Sequence, residues 1–176
     1  MNSVKPYTEP RIQLSPLKKL TGLTISMSLS RNKTYDLWRS FMPRLKEIKS
    51  NLNTDLISMQ IYKSVMNLTS FNMETEFIKW AAVEVSDFDF VPDKMETFIL
   101  EEGLYAVFDY KGPANNFAET FLYIFETWLP NSDYQADNRP HFEVLGAKYK
   151  NNDPLSEEEV WIPIKKKADQ LMNRLS

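Results

Sequence analysis

The chain of 176 residues contains no cysteine, which excludes disulfides, thiol nucleophiles and cysteine-ligated zinc together. It has a single histidine, His141, and one imidazole without thiols is too little for a transition-metal centre. A Ser-His-acid triad would have to use that residue, and no G-x-S-x-G run accompanies it. Glycine occurs four times, never as a phosphate-cradling loop. No apolar run is long enough to cross a bilayer, and Met1 to Pro10 lacks the apolar core of a secretory signal. No metal, no cofactor and no membrane contact are therefore expected, and the expected compartment is cytoplasmic.

Charge of one sign is also scarce, with a formal net charge of −3. No basic cluster is interleaved with aromatics, so direct nucleic-acid binding is not expected. The longest basic run, Lys165-Lys166-Lys167, reads as the solvated start of a short C-terminal helix over 166–176. What the chain has in excess is aromatic surface. Aromatics reach 13% with four tryptophans, more than a core of this size needs, and such excess often lines a pocket.

Alternation marks the strands. Leu23 to Leu29, Ile57 to Lys63, Phe77 to Val85, Leu104 to Tyr110 and His141 to Gly146 read as strands, with Met95 to Leu100 as a shorter one. Trp38, Phe41, Leu45 and Ile48 recur at helical spacing, with Pro43 kinking or restarting the helix. Asn32 or Thr34 could cap it. Phe117, Phe121, Ile124, Phe125 and Trp128 form a second stripe, opened by an Asn116–Glu119 capping box and ended before Pro130. Asn131 to Arg139 reads as a polar loop.

Strand, helix, strand, strand thus occurs twice, about 80 residues apart, which points to an internal duplication. The expected fold class is α+β: two βαββ repeats with pseudo-two-fold symmetry, an antiparallel sheet with both helices on one face, and a ligand cleft at the seam. Residues 1–10 form a tail. A single domain then covers 11–165, with the first repeat at about 17–86 and the second at about 95–165.

The last strand, Ser156 to Ile164, carries the candidate chemistry. Its alternation turns Glu159 and Trp161 to one face and Val160, Ile162 and Ile164 to the other. A carboxylate beside an indole suits a flat apolar cation. Matching Val83-Glu84-Val85 to Ile162-Pro163-Ile164 sets Trp80 opposite Glu159 and Ala82 opposite Trp161, so these four would line the seam. Further candidates are Trp38, Phe142 and Glu143. Bland readings stand beside each: Glu159 as the end of an acidic loop, the tryptophans as core.

Gly103-Leu104-Tyr105-Ala106-Val107-Phe108, Gly112-Pro113, Trp128-Leu129-Pro130-Asn131-Ser132, Arg139-Pro140-His141-Phe142-Glu143 and Glu159-Val160-Trp161-Ile162-Pro163-Ile164, taken in order, resemble the GyrI-like small-molecule-binding domain. This is the effector-binding domain of some AraC-type and MerR-type regulators. The resemblance runs from about Arg11 to Ile164 and is most specific in the second half. It implies two βαββ repeats with a cleft between them, Glu159 as the acid that pairs with lipophilic cations, and Trp161 as a lining residue. The chain departs from the regulator members, with no room for a helix-turn-helix ahead of its first strand. It therefore reads as a free-standing member that binds small, largely apolar and often cationic molecules. Two other functions fit the resemblance. One is a hydrolase of reactive electrophiles with Glu159 activating water, and the other is a protein-interaction module for a regulator or gyrase.

Overall fold

In the computed structural model, residues 9–168 are described, and each predicted strand is observed, although Leu23 to Leu29 is the end of a longer strand that stops at Met27. Val, Ile and aromatic residues supply the faces that pack, and the polar residues between them meet solvent or the sheet edges. The strands are β1 (Arg11–Ser15), β2 (Lys18–Met27), β3 (Leu56–Tyr62), β4 (Phe77–Val85), β5 (Glu96–Leu100), β6 (Gly103–Lys111), β7 (Tyr134–Ala136), β8 (His141–Leu145) and β9 (Glu157–Lys166). Helix α1 spans Thr34–Phe41. Helix α2 opens as Phe117–Leu122, widens to a π-turn segment at Tyr123–Trp128 and closes at Leu129–Asn131.

The sheet is antiparallel in the order β1-β6-β9-β8-β3-β4-β2-β5, with β7 also on β9. Exchanging β1, β2, β3 and β4 with β5, β6, β8 and β9 returns the same order reversed. That is the topology of a pseudo-two-fold axis between β3 and β8. Each half lends its leading strand to the other: β1 pairs with β6, and β5 with β2. The exchanged β1 lies ahead of residue 17, where the sequence pattern starts the first repeat.

Connection lengths then force the sheet to curl. β1 and β2 stand six strand spacings apart, roughly 29 Å if the sheet were flat. Two residues, Pro16 and Leu17, join them, and they can span about 11 Å. Glu101 and Glu102 impose the same closure between β5 and β6. The ends of the sheet therefore approach one another and wall in its helix-free face. On that face Leu20, Met59, Trp80, Leu100, Tyr105, Phe142 and Trp161 form one buried cluster with no helix over it. Gly22 is part of this pinch: a Cβ there would lie 2.1 Å from the Ala81 carbonyl oxygen.

Both helices pack on the opposite face. Leu37 and Phe41 of α1 meet Ala81, Val83 and Val85. Ile124, Phe125 and Trp128 of α2 meet Ala106, Phe108, Val160 and Ile162.

Several local expectations change. β1 and β7 are strands that the sequence pattern did not announce; β1 turns Ile12 and Leu14 to solvent, which inverts the usual signal. Asn116 makes no side-chain cap, because a 3-10 turn at Ala114–Asn116 has already begun the helix. Pro43 restarts the chain as a 3-10 turn, Met42–Glu47. Pro130 lies inside the last turn of α2, not beyond it. The segment ahead of it is a π-turn, in which the Leu129 N–H reaches back five residues to the Ile124 carbonyl. Lys165 and Lys166 extend β9 opposite Gln135 and Tyr134, so the basic run does not open a helix there. Residues 169–176 of the expected C-terminal helix lie outside the described residues.

Candidate functional site

Strand register assembles the interior of the curled sheet row by row. One row reads Thr24, Trp80, Met59, Phe142, Trp161, Val107, Arg11 across seven strands. The next reads Asp109, Glu159, Val144, Ile57, Ala82, Gly22, Glu96. Trp80 therefore stands level with Trp161, and Ala82 with Glu159. The pseudo-two-fold, in turn, relates Trp80 to Glu159 and Ala82 to Trp161, the correspondence that matching the strand ends gives.

Aromatic rings fill this interior. Phe142 stacks on Trp161 at 5.1 Å between centroids, and Tyr105 meets both edge-on at 5.2 and 5.8 Å. Trp80 meets Phe98 at 5.6 Å. The Trp80 indole Nε1 is buried and has no acceptor among the described residues, which costs about 1–3 kcal/mol. At one end the Arg139 guanidinium lies 4.5 Å over the Tyr105 ring. It donates to the Leu104 and Ile164 carbonyls at 2.6 and 3.1 Å and to Asp137 at 2.8 Å. It occupies the space that a side chain on Gly103 would take, which explains the glycine.

The opposite end carries Glu159. Its side chain is 39% exposed, so it sits at a rim and not within the aromatic core. Arg11 Nη2 donates to Glu159 Oε1 at 2.6 Å, and the Trp161 indole N–H donates to Oε2 at 3.1 Å. Arg11 Nη1 also donates to both oxygens of Asp109 at 2.9 Å. The rim thus already holds a planar cation between two carboxylates, next to an indole.

Of the sequence candidates, the fold brings Glu159, Trp161, Trp80 and Phe142 onto the helix-free face. Trp38 and Glu143 lie on the other face: Trp38 packs on the α1 cluster, and Glu143 accepts from Gln60 Nε2 at 2.9 and 3.3 Å. Sequence reasoning missed Arg11, Tyr105 and Met59 of the interior, and Lys79, Gln60 and Glu158 of the helix-bearing face. Lys79 had a signal, a lysine inside the apolar run Phe77 to Val85. Glu158 had one too, since it alternates with Val160. Arg11 had none, because its strand was not legible.

The chain matches the family described as integron-associated effector binding protein over residues 11–164. It is 28% identical over 155 residues to the transcriptional regulator BrlR of Pseudomonas aeruginosa, covering 88% of this chain and 54% of that protein. The chain thus spans about half the length of this curated relative. Among solved structures, the EcmrR C-terminal domain aligns with a TM-score of 0.70 at 13% identity, covering 93% of this chain and 100% of that one. SAV2435 bound to tetraphenylphosphonium aligns at 0.60 and 15%, covering 96% and 98%. These structural likenesses show a shared fold.

Proposed function

The chain belongs to the integron-associated effector binding protein family, and from that membership we propose that it binds a small, largely apolar cation within the curled sheet, with Glu159 as the counter-charge. The supporting observation is the Arg11 guanidinium, held 2.6 Å from Glu159 beside the Trp161 indole. Arg11 does at this rim what a ligand cation would do: it neutralises the carboxylate to which the Trp161 indole also donates. A ligand entering there displaces Arg11 to Asp109 or to solvent, and the Trp161, Phe142 and Tyr105 rings provide its apolar surface. The Trp80 N–H offers an unused donor to any ligand that carries an acceptor. The tetraphenylphosphonium bound by the structural neighbour is a cation of this kind. The biological use would be effector sensing or sequestration.

Titration of tetraphenylphosphonium and cationic dyes, followed by tryptophan fluorescence, tests this. Glu159→Gln is expected to weaken binding at least tenfold. Equal affinity in the variant would overturn the assignment.

A further inference from the structure

The register of β6 on β9 sets Asp109 directly opposite Glu159 on the helix-free face. Two like charges that face each other across an antiparallel pair oppose the pairing. Arg11 answers them from the neighbouring edge strand. Its Nη1 donates to both Asp109 oxygens at 2.9 Å, and its Nη2 donates to Glu159 Oε1 at 2.6 Å. At the place that the pseudo-two-fold relates to this one, Thr24 stands opposite Trp80, so no acid pair forms. The position related to Arg11 there is Glu96, opposite Gly22. The guanidinium thus accompanies the acid pair and is not a feature of the strand plan.

One cation does not balance two acids. Asp109 and Glu159 against Arg11 leave a single negative charge at the rim. Glu157, two residues along on the same face, has cations of its own, Lys111 at 3.7 Å and Lys148 at 3.0 Å. The remaining charge is not shared evenly between the two acids. Asp109 takes both of its hydrogen bonds from the guanidinium, whereas Glu159 takes one. The Asp109 hydrogen bond is also the main reason that Arg11 holds its proton more tightly than usual. The second Glu159 oxygen accepts only the neutral Trp161 N–H. The unbalanced charge therefore rests mainly with Glu159.

We infer that Arg11 is a specificity-determining residue that sets the valence of the ligand: with its guanidinium held by Asp109, the rim takes flat monocations and disfavours dications of the same outline. The inference rests on the reading of Glu159 as the counter-charge. A monocation at Glu159 brings the rim to neutrality. A dication brings a second positive charge up to the guanidinium, and like charges at short range repel. It can then bind only against that repulsion, or by driving Arg11 off both carboxylates. Arg11, Asp109 and Glu159 are all part-exposed, so the discrimination is screened by salt.

Calorimetry with 1-methyl-4-phenylpyridinium and methyl viologen tests the inference, because the two share nearly one outline and differ by one charge. Arg11→Gln is expected to move the affinity ratio at least about threefold towards the dication, while Arg11→Lys keeps the wild-type ratio. The wild-type preference for the monocation should shrink between about 20 mM and about 300 mM salt. Glu159→Gln should weaken both ligands. An unmoved ratio in Arg11→Gln, with binding that still depends on Glu159, would overturn the valence role and leave Glu159 as the counter-charge. A preference indifferent to salt would assign the discrimination to shape and overturn that role in the same way. Binding of both ligands that is indifferent to Glu159→Gln would overturn the reading of Glu159, and the valence role with it.

Discussion

Glu158→Gln is expected to change how folding stability responds to pH, independently of any ligand. The wild-type carboxyl titrates at about 7 instead of 4.5, first because burial opposes its charge and then because Glu143 does. Its folded form therefore keeps a proton that the unfolded chain gives up. Below pH 4.5 both states are protonated and the group is neutral in the balance. As pH rises from 4.5 through about 7, the unfolded state gains from ionisation and stability is lost. Moving a carboxyl over that range corresponds to about 3 kcal/mol by pH 8, and partial solvent contact reduces it to about 2 kcal/mol. Glutamine has the same shape and nothing to titrate. Urea denaturation of both proteins at pH 5, 6, 7 and 8 should show the variant gaining about 2 kcal/mol relative to wild type between the first and the last. His141, which burial holds neutral down to about 3, is common to both proteins and cancels in the difference. Parallel pH profiles for the two would refute a Glu158 carboxyl raised by burial and by Glu143.

Arg11→Gln removes the guanidinium that competes for Glu159, so tetraphenylphosphonium should bind about three- to tenfold more tightly by fluorescence titration; weaker binding would show that Arg11 helps the ligand instead. Gly22→Ala places a Cβ 2.1 Å from the Ala81 carbonyl oxygen, and separating β2 from β4 to relieve it should cost about 3 kcal/mol by chemical denaturation. Trp80→Phe deletes a buried N–H that has no acceptor, so it should cost less than about 1.5 kcal/mol, against about 3–5 kcal/mol for Phe142→Ala in the same cluster.

The sequence made the strands that alternate strongly easy to read: Phe77–Val85 is observed with the expected ends, and Glu159 and Trp161 do share a face. Both helices do pack on one face. β1 was not legible because its apolar residues are the exposed ones, and with it went Arg11, the partner of the best candidate acid. Level relations between Trp80 and Trp161 depend on how four strands slide past one another, and no single strand records that. Glu143 was singled out, yet the role of Glu158 beside it emerges only when β8 and β9 lie together. Adjacent glutamates at 158 and 159 face opposite sides of the sheet, and the run Glu157-Glu158-Glu159 does not by itself say which side each one meets.

The exchange of β1 and β5 makes neither half self-sufficient. A fragment ending before β5 would leave the β2 edge bare, and the complementary fragment would lack the strand that covers β6. The two fragments, mixed, would be expected to reassemble, as an arm-swapped homodimer does. Joining them in one polypeptide also frees positions related by the two-fold to mutate independently. Arg11 and Asp109 stand beside Glu159, whereas the positions that the two-fold relates to Arg11 and Asp109 carry Glu96 and Thr24, bonded to each other at 2.6 Å. A symmetric pair of short chains would carry identical groups at both places. The fused chain carries this guanidinium between two carboxylates at one of the two related places, which a symmetric pair could not do.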